Sequence, residues 1–181
     1  KHLLHGHSHF AFAGWITQAL MTLLTAYLVA QKGKGIYKKY RWLLLVNWLT
    51  AFGMLISFSI EGYGLYSIIF STLSIFVSYV FAFFYWKDLN SINSKNIIHS
   101  WFKAAVFFNA LSSLGAFALA IMMVAKIIHQ NWYLAAEYFY LHFQYNGWFF
   151  FACMGLLFIK LSPMAAPKTM YRVFVLFVAS V

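Results

Sequence analysis

Long apolar stretches alternate along this chain with short polar segments. A helix rises about 1.5 Å per residue, so about 20 residues cross the hydrocarbon core of a bilayer. Stretches of that order lie at 8–30, 42–60, 65–86, 101–125 and 139–159, and a sixth begins near Tyr171. Backbone groups in lipid need hydrogen bonds within their own segment, and strand-like alternation is absent from the sequence. The pattern therefore predicts an all-α fold, a polytopic transmembrane helical bundle with five full spans plus a truncated sixth.

The two ends of the sequence suggest a piece of a longer protein. The first residue is Lys1 rather than Met, and the last apolar stretch, "YRVFVLFVASV", is too short to span a bilayer core of about 30 Å. We expect a single transmembrane domain over residues 1–181, within a longer chain.

Composition agrees with a membrane protein. The chain is 64% hydrophobic and 9% charged, whereas soluble domains are about a quarter charged. The net charge of +10 is compatible with nucleic-acid binding, but the basic residues lie in short loops between apolar stretches. The expected partners are therefore the lipid bilayer and other membrane subunits, and not nucleic acid. The one cysteine, Cys153, lies in an apolar run and supports no disulfide framework or thiolate metal site.

The distribution of lysine and arginine predicts the orientation. The connections 31–41, 87–100 and 160–172, together with Lys103 just inside the following helix, hold 11 of the 13 basic residues. The positive-inside rule places these connections in the cytoplasm. The opposite ends of the spans then face the outside. Tryptophans near span ends fit an interfacial belt: Trp42, Trp86, Trp101 and Trp132.

A short motif occurs twice. "HFAFAGW" at 9–15 and "HFQYNGW" at 142–148 share His, Phe, an aromatic residue, Gly and Trp at the same offsets. Both copies lie at the predicted outer end of a span, four spans apart. Repeated helical units are a known plan of membrane proteins. The motif predicts a four-helix repeat, with units of about 1–130 and 131–181, the second incomplete.

Histidines crowd the first copy, "LLHGHSHFAFAGW". At 100° per residue, His5 and His9 lie about 40° apart on a helix and share a face, whereas His7 lies about 200° from His9. Imidazole binds haem iron, copper and zinc. His9 and His142, one on each copy, would be enough for a bis-histidine haem, with His5 and His7 as further candidates. The alternative, that these histidines only bind water, headgroups or carbonyls, stays open.

Other polar and aromatic residues lie near these histidines. Glu61 and Glu137 are on the same predicted side and could orient a ligand imidazole, or they could be solvated interfacial acids. Trp15 and Trp148 close the two motif copies and are further candidate neighbours of a cofactor. Asn47 and Asn109 lie in the middle of spans, where hydrogen bonding between helices is a sufficient explanation.

"HGHSHFAFAGW" resembles the histidine-rich helix start of the heme-copper oxidase superfamily, that is, oxidase subunit I, the large subunits of nitric oxide reductases and the NnrS-like proteins. "LHGHSH" and "YLHFQYNGWF" are also similar to stretches of uncharacterised oxidase-like membrane proteins of Bacteroidetes. In the superfamily, two histidines one residue apart bind two haems from opposite faces of one helix. The resemblance implies haem b or copper held at the outer face by His5, His7, His9 and His142.

The motif around His142 departs from the superfamily's copper-site helix. That helix has a proline beside its histidine and a tyrosine four residues on, whereas no proline follows His142 and Tyr145 lies three residues after it. No complete catalytic set is visible, so oxygen reduction is not implied. If the protein is an enzyme, we expect an oxidoreductase.

Three functional hypotheses follow. The first is a haem- or copper-binding membrane protein for electron transfer or diatomic gas handling. The second is a copper or zinc transporter, which would favour acids or methionines along a pore, but the acids number three and the methionines are scattered. The third is a structural accessory subunit of a respiratory membrane complex, whose histidines bind no cofactor.

Overall fold

A computed structural model describes residues 2–92, 96–127, 129–161 and 167–181. All regular structure within these ranges is helical, which confirms the all-α prediction. The helices are α1 (His2–Lys32), α2 (Lys34–Glu61), α3 (Leu65–Asn90), α4 (Ile97–Val124), α5 (130–161) and α6 (Pro167–Ser180). Lys1, Lys95 and part of the predicted connection 160–172 lie outside the described residues.

Four of these helices, α1 to α4, are long and apolar enough to cross a membrane. The prediction of five full spans plus a truncated sixth is therefore wrong in its number. The helix α5 has the length of a span, but the polar residues Gln144, Asn146 and Lys160 dilute its apolar stretch. The helix α6 has only 14 residues.

The helices extend beyond their apolar stretches into the polar flanks. The predicted basic loop 31–41 is mostly helical, because α1 runs to Lys32 and α2 starts at Lys34 with a short 3-10 turn. Gly33 alone joins them, and its φ of 87° is one that residues other than glycine rarely adopt. At the other end of α1, the helix starts at His2, so the histidines of the first motif all lie on helix.

The chain forms two compact units, Lys1–Asn93 and Ser94–Val181. In the first unit, α1 packs on α2 and α2 packs on α3. Its core is filled by large apolar side chains from all three helices, and these are at most 1% exposed: Met21, Leu24, Leu28, Met54, Phe58 and Phe81.

The second unit is built around Trp101 at the start of α4. The Trp101 ring is fully buried and lies 5.0 Å from the ring of Phe151 and 5.2 Å from the rings of Phe158 and Phe174. The prediction of an interfacial role is thus wrong for Trp101, because aromatic side chains of α5 and α6 cover it. The other three tryptophans of the predicted belt are exposed: Trp42, Trp86 and Trp132.

One carboxylate joins the three helices of the first unit. Asp88, near the end of α3, lies 2.7 Å from Lys39 Nζ and accepts a hydrogen bond of 2.7 Å from the Tyr40 hydroxyl. Lys32 Nζ lies 3.5 Å from the same carboxylate and donates to Ser91 Oγ. Asp88 is the one aspartate of the sequence, and it connects the end of α1, the start of α2 and the end of α3.

We expect Asp88→Asn to lower the free energy of unfolding by about 1–2 kcal/mol. The substitution removes both ion pairs, but solvent already screens the lysines, whose side chains are 29% and 32% exposed. Thermal unfolding of the purified protein in detergent measures the effect. Lys38→Gln is the control, since it removes a charge from an exposed neighbour of Lys39. Equal unfolding temperatures for Asp88→Asn and the wild type would contradict this structural role.

Candidate functional site

Two of the predicted histidines share one face of α1, where α2 ends and α3 begins. The His9 ring stacks on the Phe58 ring at a centroid distance of 4.1 Å and an angle of 6°. Tyr63 meets both histidines edge-on, at 5.0 Å from His5 and 6.1 Å from His9. His7 is exposed instead, so the directions that the helical spacing predicts for these three residues agree with the structure.

The turn between α2 and α3 completes this first-unit site. Gly62 has a φ of 65°, and a Cβ at this position would lie 2.9 Å from His2 Nε2, so the His2 side chain packs over the turn. The neighbouring Glu61 accepts a 2.8 Å hydrogen bond from the backbone N–H of Ser67. A carboxylate there caps the start of α3 and faces the positive end of its dipole. This contact gives Glu61 a structural function at the start of α3, and its role in orienting an imidazole stays a prediction.

Both copies of the repeated motif form a π-helical segment. In α1 it spans Phe10–Ile16 and in α5 it spans Phe143–Phe149, seven residues in each case. Each segment starts directly after the motif histidine, His9 or His142. Well under 1% of residues in proteins are π-helical, and such segments occur frequently at functional sites. The two copies therefore share a rare backbone conformation as well as residue types.

Each π-helical segment presents its glycine to the neighbouring helix of its own unit. A Cβ at Gly14 would lie 3.1 Å from Ala51 Cβ of α2, and a Cβ at Gly147 would lie 2.4 Å from Phe108 Cβ of α4. Small residues at such positions let helix backbones approach closely. The tryptophans that follow differ between the copies, since Trp15 is 57% exposed and Trp148 is fully buried.

His142 occupies an exposed position on α5. Its Nδ1 lies 3.2 Å from Asn146 Nδ2, and its Nε2 lies 3.2 Å from the carbonyl oxygen of Val181. Because an amide nitrogen can only donate, Nδ1 accepts this hydrogen bond and the proton is on Nε2. A metal bound at Nε2 would replace the contact with Val181. Glu137, on the same helix, is exposed.

Buried amide side chains lie beside each π-helical segment. In the second unit, Gln144 Nε2 donates to Asn109 Oδ1 at 3.1 Å and to Ser112 Oγ at 2.8 Å. In the first unit, Asn47 Nδ2 donates to Gln18 Oε1 at 2.8 Å. Hydrogen bonding between helices was predicted for Asn47 and Asn109 and is confirmed. Their glutamine partners, Gln18 and Gln144, were missed, because each lies beside other polar residues in the sequence and does not stand out.

The side chains around His9 and His142 do not form the ligand set of a zinc or copper site. Among the residues that the structure describes, no three His, Cys, Asp or Glu side chains form a group that could hold a metal ion. Structural zinc sites use four protein ligands, and copper sites commonly use two histidines with a third ligand. A haem needs only one or two axial side chains from the protein. Single histidines such as His9 and His142 meet that smaller demand.

No protein-family model matches this chain, and no match was found among curated proteins or solved structures. The likeness of residues 5–15 to the heme-copper oxidase superfamily, and of residues 4–9 and 140–149 to uncharacterised oxidase-like membrane proteins, therefore stays a prediction from the sequence. Any functional assignment rests on the residues of the chain itself.

We expect Gly147→Ala to destabilise the protein more than Gly14→Ala. The new Cβ at 147 would meet Phe108 Cβ, an atom next to the backbone that cannot move aside easily, whereas the contact at 14 is 3.1 Å. Overpacking of this kind costs about 1–3 kcal/mol, and we expect less than that at Gly14. Thermal unfolding of both variants tests this. An order of stability opposite to the one expected would show that the close helix approach at Gly147 is unimportant.

Proposed function

We propose that this protein is a multi-pass haem protein of heme-copper oxidase-like architecture in a bacterial inner membrane, in which His9 of the first unit and His142 of the second would each hold haem at the outer face. When bound, haem would supply one-electron redox chemistry and a place for a diatomic gas. The observation that carries the proposal is the seven-residue π-helical segment that follows each of these histidines.

The surroundings of His9 fit the requirements of an axial ligand. A ligand imidazole has to be held in one orientation, and neighbouring groups usually do this. The Phe58 ring lies parallel to the His9 ring at 4.1 Å, and the Tyr63 ring meets it edge-on. These two contacts restrict rotation of the His9 ring. Both contacting rings belong to the first unit.

His7 supports a second ligand position on the other side of α1. It is exposed, and so are the adjacent apolar residues Leu3 and Leu4, at 72% and 69%. A macrocycle is flat and mostly apolar, so an exposed histidine with leucines beside it offers both a ligand and a contact surface. His5 lies on the His9 face, where its ring meets the ring of Tyr63.

The visible absorption spectrum of the whole protein, purified from cells supplied with haem, tests the proposal. We expect a Soret band that shifts on reduction. His9→Ala and His142→Ala should each remove or strongly weaken it, because each removes a histidine that would hold haem in its own unit. His129→Ala is the matched control, since His129 is exposed and precedes α5 outside both motif copies. Circular dichroism and the elution volume show whether each variant is folded.

The outcomes separate the competing functions. Absence of a Soret band from folded, haem-supplied protein would sink the haem proposal, and a band unchanged by both substitutions would refute the ligand assignment. Stoichiometric copper or zinc without haem would indicate copper binding or metal transport. Folded protein with neither haem nor metal would favour the third hypothesis, a structural accessory subunit of a membrane complex.

A further inference from the structure

A groove lies in the first unit between α1 and α2, at the end where Gly33 joins them. Its volume is about 330 Å³, within the range of small-molecule sites. The groove lies at the opposite end of α1 from the histidines and has no part in the proposed haem site. Its lining residues come from the last turns of α1 and the first turns of α2: Thr22, Thr25, Ala26, Val29, Lys34, Tyr37 and Leu44.

The inside of the groove is apolar in spite of its two threonines. The Thr22 hydroxyl donates to the Gln18 carbonyl at 2.7 Å, and the Thr25 hydroxyl donates to the Met21 carbonyl at 2.7 Å. With these hydroxyls satisfied by their own helix, the threonines offer methyl groups to a ligand. Together with Ala26, Val29 and Leu44 they provide a lining that suits a hydrocarbon chain.

The mouth of the groove is basic. Lys34 and Tyr37 are the lining residues from the first turns of α2, and both are exposed. The segment 31–41 holds five basic residues and no acidic one. Two of the five, Lys32 and Lys39, already share Asp88. Lys34 is exposed and lines the groove, so its charge can interact with an anionic group there.

We propose that this groove binds an anionic glycerophospholipid, with one acyl chain along the apolar lining and the phosphate at Lys34. The lining helices α1 and α2 are both apolar and long enough to cross a membrane, so lipid is the ligand they would meet at highest concentration. Basic pockets between such helices bind anionic headgroups. Tyr37 adds an aromatic ring with a polar tip, a side chain typical of the headgroup level.

Native mass spectrometry of the delipidated protein, titrated with dioleoylphosphatidylglycerol or dioleoylphosphatidylcholine, tests the site. The two lipids have the same acyl chains and differ in headgroup charge. We expect tighter binding of the anionic lipid and about a fivefold loss of its affinity in Lys34→Gln, the effect of one basic residue near an anionic surface. Lys38→Gln is the matched control, because it removes the same charge at an exposed position, four residues after Lys34, that does not line the groove.

A second variant tests the acyl-chain part. Ala26→Leu should fill the groove and weaken the binding of both lipids; Val29→Phe serves the same purpose if the first variant fails to fold. Soluble glycerol 3-phosphate should compete poorly, because it has no chain. Equal binding of the two lipids, equal losses in Lys34→Gln and Lys38→Gln, or full competition by glycerol 3-phosphate would each overturn the proposal. These lipid readings do not depend on the Soret band, so the haem proposal and this one can fail separately.

Discussion

The backbone of a membrane-crossing segment has no water to bond to, so each helix has to satisfy its N–H and C=O groups itself. This requirement explains why departures from regular α-helix are informative here. The two π-helical segments widen the helix directly after His9 and His142. In the first of them, the Thr17 hydroxyl donates to the carbonyl of Phe12, five residues earlier, at 2.8 Å. In both, a glycine brings the widened turn against the next helix, which keeps the segment packed.

The same requirement governs the few polar side chains. Where water is excluded, a buried polar group is costly unless it finds a partner. Asp88 therefore gathers Lys32, Lys39 and Tyr40 at one end of the first unit, and Gln144 binds Asn109 and Ser112 in the second. The Asp88 contacts link α1, α2 and α3. The Gln144 contacts link α4 and α5. They hold the helix ends and middles in register, while aromatic and aliphatic side chains fill the space between.

Apart from His142 on α5, the proposed sites lie at the two ends of α1. At one end, rings from α2 and the following turn orient His9, and at the other, a basic and apolar groove faces the first turns of α2. The former position suits a flat cofactor that needs one or two axial side chains, and the latter suits an amphipathic lipid. The middle of α1 packs in the core of the first unit. This packing fixes the positions of the side chains at both ends of the helix.

Hydrophobic pattern alone predicted the helices, since about 20 apolar residues are needed wherever the chain crosses lipid, and helical spacing alone predicted that His5 and His9 face away from His7. The repeat of the same residue types at 9–15 and 142–148 also predicted that His9 and His142 are equivalent positions. Tertiary structure decided what single residues do. Trp101 became a core residue because α5 and α6 cover it, Glu61 became a cap because α3 starts beside it, and Trp15 and Trp148 ended in opposite environments. It also decided the π-helical segments and the partners of Asp88, because these depend on which helices pack together, and that information is spread over residues far apart in the sequence.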